Sequence, residues 1–408
     1  MKSNKFDLIV TFPFYNEEQT LPSLLDSLYF SKQDKYKYCL VLVNHRSTDN
    51  SESIINSYKN KFEELIILSE DFPINCGGVP RNKGINYSIN LAKSLGYPIP
   101  IATIDSDTEV SMYFGEEIID KLNHKYDIVV FAERYKPKIL LNWVKNNRSA
   151  IKSLIGLNWV RYQFLWALIL SDIPETRGPG GYAMLAETFK KIGHKQPFGP
   201  NGEPITGENN RLGIIANRYG LKTYASPYIT LVDSRRELST LDNDSKGYKS
   251  GNDKSEIFKL ARNINSNICL SEEEWNNYLD KGIWRTTRMV LIRGICYQKV
   301  DQLQWWFSNS TWQKIISLAN SYIKKIKPTN NELEIVGNAI FTNMFDYVME
   351  NLSLKEKENF IFFIKNSLPT NNKLVVWCHN QNSIITPDSD LIKQLLDKFQ
   401  NKYELKRI

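Results

Sequence analysis

Along the first half of the chain, short apolar runs alternate with segments whose apolar residues recur at helical spacing. Phe6–Phe12 is an apolar, β-rich run. In Thr20–Phe30, Leu21, Leu24, Leu25 and Leu28 fall at i, i+3, i+4 and i+7, one face of a helix. Cys39–Asn44 is continuously apolar and predicts a buried strand. Asp49 stands where it can cap a following helix that carries Ile54, Ile55, Tyr58 and Phe62 on one side. Leu65–Leu68 reads as a strand. Ile85, Ile89 and Ala92 mark a helix that ends at Gly96, a residue suited to the left-handed turn that closes helices. Ile99–Ile104, Asp127–Ala132 and Tyr228–Val232 read as further strands. The alternation predicts a mostly parallel sheet with helices on both faces. In such sheets ligands bind beyond the carboxyl ends of the strands. Polar clusters fall at those ends, at Pro13–Glu18, Asn44–Asp49 and Asp105–Asp107.

The pattern then changes. Residues 236–255 are polar and rich in Asn, Asp, Ser and Gly, as in a linker or mobile loop. Beyond them Ser271…Glu274, Ser310…Gln313 and Ser353…Glu356 have capping-box spacing and open apolar-periodic segments. The expected organisation is an α/β domain over 1–235, a linker over 236–255 and an all-α domain over 256–408. There is no repeat of fixed period. Leu157–Leu170 is the most apolar stretch, but Arg161 and Gln163 interrupt it and it falls short of the ~20 residues of a membrane span. Two readings stand: a buried or domain-bridging helix, or an interfacial helix meeting lipid or a greasy acceptor through Trp159, Phe164 and Trp166.

Composition narrows the class. With 408 residues, 42% hydrophobic and 24% charged, the chain can bury two cores. Its 52 Lys and Arg against 45 Asp and Glu leave a net charge of +7, which suits an anionic partner such as a nucleotide diphosphate or a membrane surface. No basic stripe is concentrated enough to predict nucleic acid as a partner. The five cysteines, Cys39, Cys76, Cys269, Cys296 and Cys378, are odd in number and lack CxxC spacing. They read as reduced thiols of a cytosolic protein. Met1–Thr11 lacks the apolar core and cleavage site of a signal peptide. A cytoplasmic location is expected, with contact to the inner face of a membrane as a variant. His124, His194 and His379 share no metal-ligand spacing, and Trp305, Trp306 and Trp312 lie in helical segments where core packing is the plain reading.

Asp105-Ser106-Asp107 ends an apolar strand. Carboxylates there need a partner, water or a metal. Hard oxygen donors of this kind take Mg²⁺ or Mn²⁺, which then bridges to phosphate oxygens. The plainer reading is an acidic turn in which Asp107 or Thr108 caps the next helix.

Four segments extend this reading. Thr11–Glu18 is similar to a P-x-x-N-E opening, and Val43–Asp49 to a V-D-D-x-S-x-D turn. Gly77–Gly84 followed by Ile104–Asp107 is similar to an A-R-N-x-G and D-x-D pair. Gly180-Gly181-Tyr182 and then Gly207–Leu212 look like a glycine pair and an E-D helix start. In this order, over roughly residues 6 to 215, the chain resembles the inverting family 2 glycosyltransferases of the GT-A fold. The helical C-terminal part lies outside the resemblance.

The resemblance implies a Rossmann-like GT-A domain that takes a nucleotide-diphosphate sugar, of UDP or GDP type, with Mn²⁺ or Mg²⁺. Pro13, Tyr15 and Glu17 would line the nucleotide pocket, with Asn44, Asp49, Arg81 and Ser106 holding base, ribose or diphosphate. Asp105 would face the ribose or the metal, Asp107 would bind the metal, and Asp233 would be a third ligand. Gly180 and Gly181 would let the backbone approach the donor sugar, or simply form a tight turn. Arg235 or Arg236 would clamp the diphosphate, or belong to a surface charge cluster. The acceptor is left open: small molecule, glycan, peptide or lipid.

Two departures matter. Asn44 and His45 replace the acidic pair of the second motif, which puts the base identity in doubt. Asn209 replaces the acid that would serve as general base in an inverting transfer, and an amide cannot take that proton. Glu208 is the candidate base, with Glu203 second. Glu208 would otherwise bind donor or acceptor hydroxyls, or favour a helix dipole. A retaining transferase and a degenerate sugar-nucleotide binder are the alternatives. A nucleotidyltransferase would carry a Gly-rich loop after the first strand, where this chain has Pro13-Phe14-Tyr15-Asn16.

Overall fold

The computed structural model describes residues 4–72, 77–131, 133–135, 181–192, 216, 219–226, 228, 230–233, 271, 273, 309–326, 347–348, 350–356, 374–376 and 383–385. The chain divides into two compact units. One comprises Met1–Arg134, Pro174–Asp233 and Tyr403–Ile408, the other Tyr135–Ile173 and Ser234–Lys402.

In the first unit the alternating pattern becomes Leu8–Phe14 (β1), Leu21–Ser31 (α1), Tyr38–Asn44 (β2), Ser51–Ser57 (α2) and Glu64–Ser69 (β3). Gly78–Leu95 (α3), Pro100–Thr103 (β4), Thr108–Glu109 (β5) and Phe114–His124 (α4) follow. Then come Ile128–Val130 (β6), Glu133–Tyr135 (β7), Tyr182–Leu185 (β8), Ala186–Ile192 (α5), Thr223–Ala225 (β9) and Thr230–Val232 (β10). The main sheet runs β3-β2-β1-β4-β8-β6-β9. β1 lies parallel to β2 and β4, and β2 to β3. β8 enters antiparallel to both β4 and β6, while β6 and β9 are parallel. A smaller sheet holds β5, β10 and β7.

The core follows the predicted pattern. Every residue of β2 is buried, whereas β3, at the sheet edge, is only half-buried. Leu21, Leu24, Leu25 and Leu28 of α1 are all fully buried, each contributing about 1.5–3 kcal/mol of transfer free energy. α3 lies close against the sheet at Gly84, where a Cβ would stand 2.3 Å from Thr11 Oγ1 and 3.1 Å from Val43 Cγ2. α3 ends at Gly96, whose φ of 74° is left-handed and whose N–H donates to Lys93 O at 3.2 Å.

α2 is shorter than its periodicity predicts. It stops at Ser57, whose hydroxyl donates back to Ile54 O at 2.6 Å. Phe62 still reaches the core, but from extended backbone beyond a 3₁₀ turn at Lys59–Lys61.

In the second unit Asn309–Ile326 forms a helix (α6), so Ser310 lies inside its first turn and not at the cap. The Ser353 box forms as expected. Ser353 Oγ accepts from the Glu356 N–H at 3.3 Å, and Glu356 Oε2 accepts from the Ser353 N–H at 2.7 Å. Lys314 Nζ also reaches the Glu356 carboxylate at 2.7 Å. Leu374–Val376 (β11) pairs antiparallel with Ser383–Ile385 (β12), a departure from the all-helical expectation for 256–408. Two β-branched runs around a polar Asn/Gln/Ser stretch are a hairpin signal.

Candidate functional site

Because β1, β2 and β4 are parallel and in register, their carboxyl ends arrive together. Phe14 pairs with Asn44, and Thr11 with Thr103. The loops beyond β1 and β2 interlock through their own side chains. Asn16 turns with a φ of 52° and its Oδ1 accepts from the Thr48 N–H at 2.8 Å. The Asn16 N–H donates to Ser47 Oγ at 3.1 Å, and the Glu17 N–H to Ser51 Oγ at 2.8 Å. The Glu18 N–H donates to Asp49 Oδ2 at 3.1 Å, and Glu18 Oε2 accepts from the Asn50 N–H at 3.0 Å.

Two predicted nucleotide contacts have structural roles in this lattice. Asn44 Oδ1 accepts from the Ser47 N–H at 3.0 Å while its amide donates to Glu52 Oε2 at 2.8 Å. Asp49 Oδ1 accepts from the Ser51 N–H at 3.0 Å, one residue ahead of the Asn50 cap position, and both its oxygens serve loop amides. Pro13 and Tyr15 are half-buried at the same edge.

Glu17 is buried, with Oε2 accepting from Thr20 Oγ1 at 2.7 Å. Thr20 Oγ1 also lies 3.3 Å from Ser106 O, so this hydroxyl joins the loop after β1 to Asp105-Ser106-Asp107. Arg81, on the first turn of α3 and 6% exposed, donates to Thr103 Oγ1 at 3.0 Å and to Ile104 O at 2.9 Å. Its second terminal nitrogen forms an ion pair with Asp105. Asp107 and Asp233, each 6% exposed, are neighbours through the β5–β10 pairing, with the Asp233 N–H donating to Asp107 O at 3.1 Å. Among the described residues no three His, Cys, Asp or Glu side chains converge as a metal-ligand group.

Gly181 has a φ of 112°, and a Cβ there would stand 2.7 Å from Ile104 Cγ2 and 3.2 Å from Thr103 O. Its lack of a side chain is required by β4 itself. His45 is 5% exposed, its ring between Tyr15 at 6.2 Å and Phe72 at 5.3 Å. Burial first, and the neighbouring Arg46 charge second, hold its pKa below the ordinary histidine value. Gly180, Glu203, Glu208, Asn209, Arg235 and Arg236 lie outside the described residues, as does Leu157–Leu170. Among the described residues no helix is long and apolar enough to cross a membrane.

Thr20, Ser47, Ser51 and Thr103 were not singled out by sequence, yet they place the charged groups. The signal available was Ser and Thr at turn and helix-start positions, where hydroxyls bind local backbone.

Parallel strands with helices on both sides, an antiparallel β8 and an acidic turn after β4 define a GT-A type α/β domain. Residues 9–177 match the model of glycosyl transferase family 2. A poly(ribitol-phosphate) beta-glucosyltransferase of Bacillus spizizenii is 34% identical over 147 residues, 36% of this chain and 20% of that protein. The chain thus spans about a fifth of the length of this curated relative. Among solved structures, S. aureus TarS 1-349 in complex with UDP-GlcNAc aligns with a TM-score of 0.41 and 16% identity, covering 88% of this chain and 91% of that one. Glucosyl-3-phosphoglycerate synthase from Mycobacterium tuberculosis, in complex with Mn²⁺, UDP and phosphoglyceric acid, aligns with a TM-score of 0.34 and 18% identity over 56% and 70% of the two chains.

Proposed function

We propose that the chain is a glycosyltransferase moving a hexose-type sugar from a nucleoside diphosphate to an acceptor hydroxyl. The observation that carries this is the acidic turn after β4. Arg81 grips its first carboxylate, its second acid Asp107 is buried, and the backbone of the equally buried Asp233 bonds to Asp107. The family match and the name of the Bacillus relative support sugar transfer.

The donor set fits a divalent cation by its chemistry. Asp107 and Asp233 are hard oxygen donors, and Mg²⁺ or Mn²⁺ in phosphate sites takes one or two carboxylates and completes its shell from phosphate and water. Such an ion offsets charge on the leaving diphosphate. Arg81, bonded to Thr103 and Ile104, fixes one oxygen of Asp105 and would add a positive charge beside a bound diphosphate. In the transfer, the acceptor oxygen bonds to the anomeric carbon, the bond to the diphosphate oxygen breaks, and Glu208 takes the acceptor proton, with inversion.

Calorimetric titration of UDP and GDP, with and without Mn²⁺, into wild type and Asp107→Asn tests the handle. Asp107→Asn is expected to weaken metal-dependent binding by at least about 10-fold at unchanged circular dichroism. Equal affinity in Mn²⁺ would sink the assignment. Glu208→Gln should keep nucleotide binding while donor turnover falls by about 10²-fold or more. Metal-dependent binding by wild type with no hydrolysis or transfer would favour a sugar-nucleotide binder instead.

A further inference from the structure

Asp233 directly follows β10 and Asp107 directly precedes β5, and two rungs join these strands, Leu231 to Glu109 and Val232 to Thr108. A ladder this short takes its place from whatever its flanks are tied to. Here the flanks meet again at a second place. β5 runs on to Tyr113, the cap position of α4, and to Glu117 in the first turn of that helix. β10 is reached from β9 through Ser226 and Tyr228. Ser226 is fully buried, and its N–H donates to Val130 O at 2.9 Å, which fixes it to the end of β6. Its hydroxyl accepts from the Tyr228 N–H at 3.1 Å and donates to Glu117 Oε2 at 3.4 Å. The Tyr228 ring stacks on that of Tyr113, with centroids 4.7 Å apart.

Glu117 is the odd residue of this arrangement. The other buried side chains of α4, Phe114, Ile118 and Leu122, are apolar. A carboxylate buried among them gives up water for one hydroxyl among the described residues, across a long hydrogen bond. Packing alone would be served as well or better by an apolar side chain of that size. What the carboxylate adds is an acceptor at the polar one of the two ties between α4 and the approach to β10. Resting on the metal-site reading above, we infer that Glu117 is a positioning residue. Through Ser226 it sets where β10 meets β5, and so where Asp233 stands relative to Asp107. Its effect on a divalent ion is indirect: it holds the strands that carry two carboxylates, and such ligands must be kept to within about 0.5 Å of their working geometry.

The test compares wild type with Glu117→Met, which keeps the length of the side chain but has no oxygen acceptor, and Glu117→Gln, which keeps one. In metal-free protein, deuterium exchange reads the Asp233 amide, whose 3.1 Å bond to Asp107 O spans the end of the ladder. Paramagnetic resonance reads Mn²⁺ binding in the presence of UDP or GDP. Glu117→Met should speed Asp233 exchange about 10-fold and weaken Mn²⁺ binding about 10-fold. Its metal-free nucleotide affinity should stay within about 2-fold of wild type and its urea midpoint should be no lower, since an apolar residue replaces a buried charge. Glu117→Gln should bring both exchange and Mn²⁺ affinity back to within about 3-fold of wild type. A loss of Mn²⁺ affinity that tracks a lowered urea midpoint would mark Glu117 as a packing residue and overturn the inference. Asp233 exchange at the wild-type rate in Glu117→Met overturns it as well. A wild type that holds no Mn²⁺ with either nucleotide overturns the metal-site reading instead, and Asp233 exchange still decides whether Glu117 positions that residue.

Discussion

Arg81 holds three acceptors with one guanidinium: Thr103 Oγ1, Ile104 O and a carboxylate oxygen of Asp105. The planar fork is what makes this possible, and a lysine ammonium cannot reproduce it. Arg81→Lys should therefore lose about 1–2 kcal/mol of stability in urea denaturation, and nucleotide affinity with it. A wild-type midpoint in urea would show that the fork does not hold the end of β4. His45 supplies the pH dependence. Its folded pKa is depressed below the ordinary 6.5, through burial and Arg46, and is only partly restored by Asp71. The neutral ring's contribution is complete above pH 6.5 and is lost as pH falls through the lower folded value. Wild-type stability should thus drop more steeply below pH 6.5 than that of His45→Phe, and parallel pH profiles would remove His45 from the account.

The elements test why Gly84 within α3 and Gly96 just past its end are needed, for different reasons. At Gly84 the obstacle is steric, since an alanine Cβ would meet Thr11 Oγ1 at 2.3 Å and force α3 off β1. At Gly96 nothing lies within 4 Å of the added carbon and only the left-handed φ of 74° resists it. Gly84→Ala should cost about 1–3 kcal/mol despite its better helix propensity, and Gly96→Ala about 1–2 kcal/mol. Thr11→Ala should rescue the first and leave the second unchanged in thermal unfolding. The helix faces were legible from sequence because burial repeats at 3.6 residues: the four leucines of α1 appear where the pattern puts them. The early end of α2 was not, because a serine hydroxyl competes with the helix locally while Phe62 keeps the helical period by another route. Nor was the antiparallel insertion of β8 between β4 and β6. Strand direction depends on long-range connections, and an apolar strand reads alike in either direction.

At the scale of the whole molecule, the order of motifs placed the candidate site residues at the carboxyl edge of the sheet. It could not say which polar residues face a ligand and which brace a loop. Asn44 and Asp49 read as ligand contacts in one dimension; in three their oxygens also brace the loops, accepting from amides up to 31 residues away. The interlocked loops after β1 and β2 have a consequence for motion. Loops are ordinarily where amide protons exchange with solvent fastest. Here the amides of Asn16, Glu17, Glu18, Thr48 and Asn50 are each held by a side chain from across the lattice, that of Glu17 by the first residue of α2. In deuterium exchange these five should be slowed to rates approaching those of the flanking strands, and Ser51→Ala should release Glu17 first. Solvent-level exchange at all five would mean that the lattice opens freely. Slow exchange would mean that binding begins on a surface already set, with little ordering left for the ligand to impose.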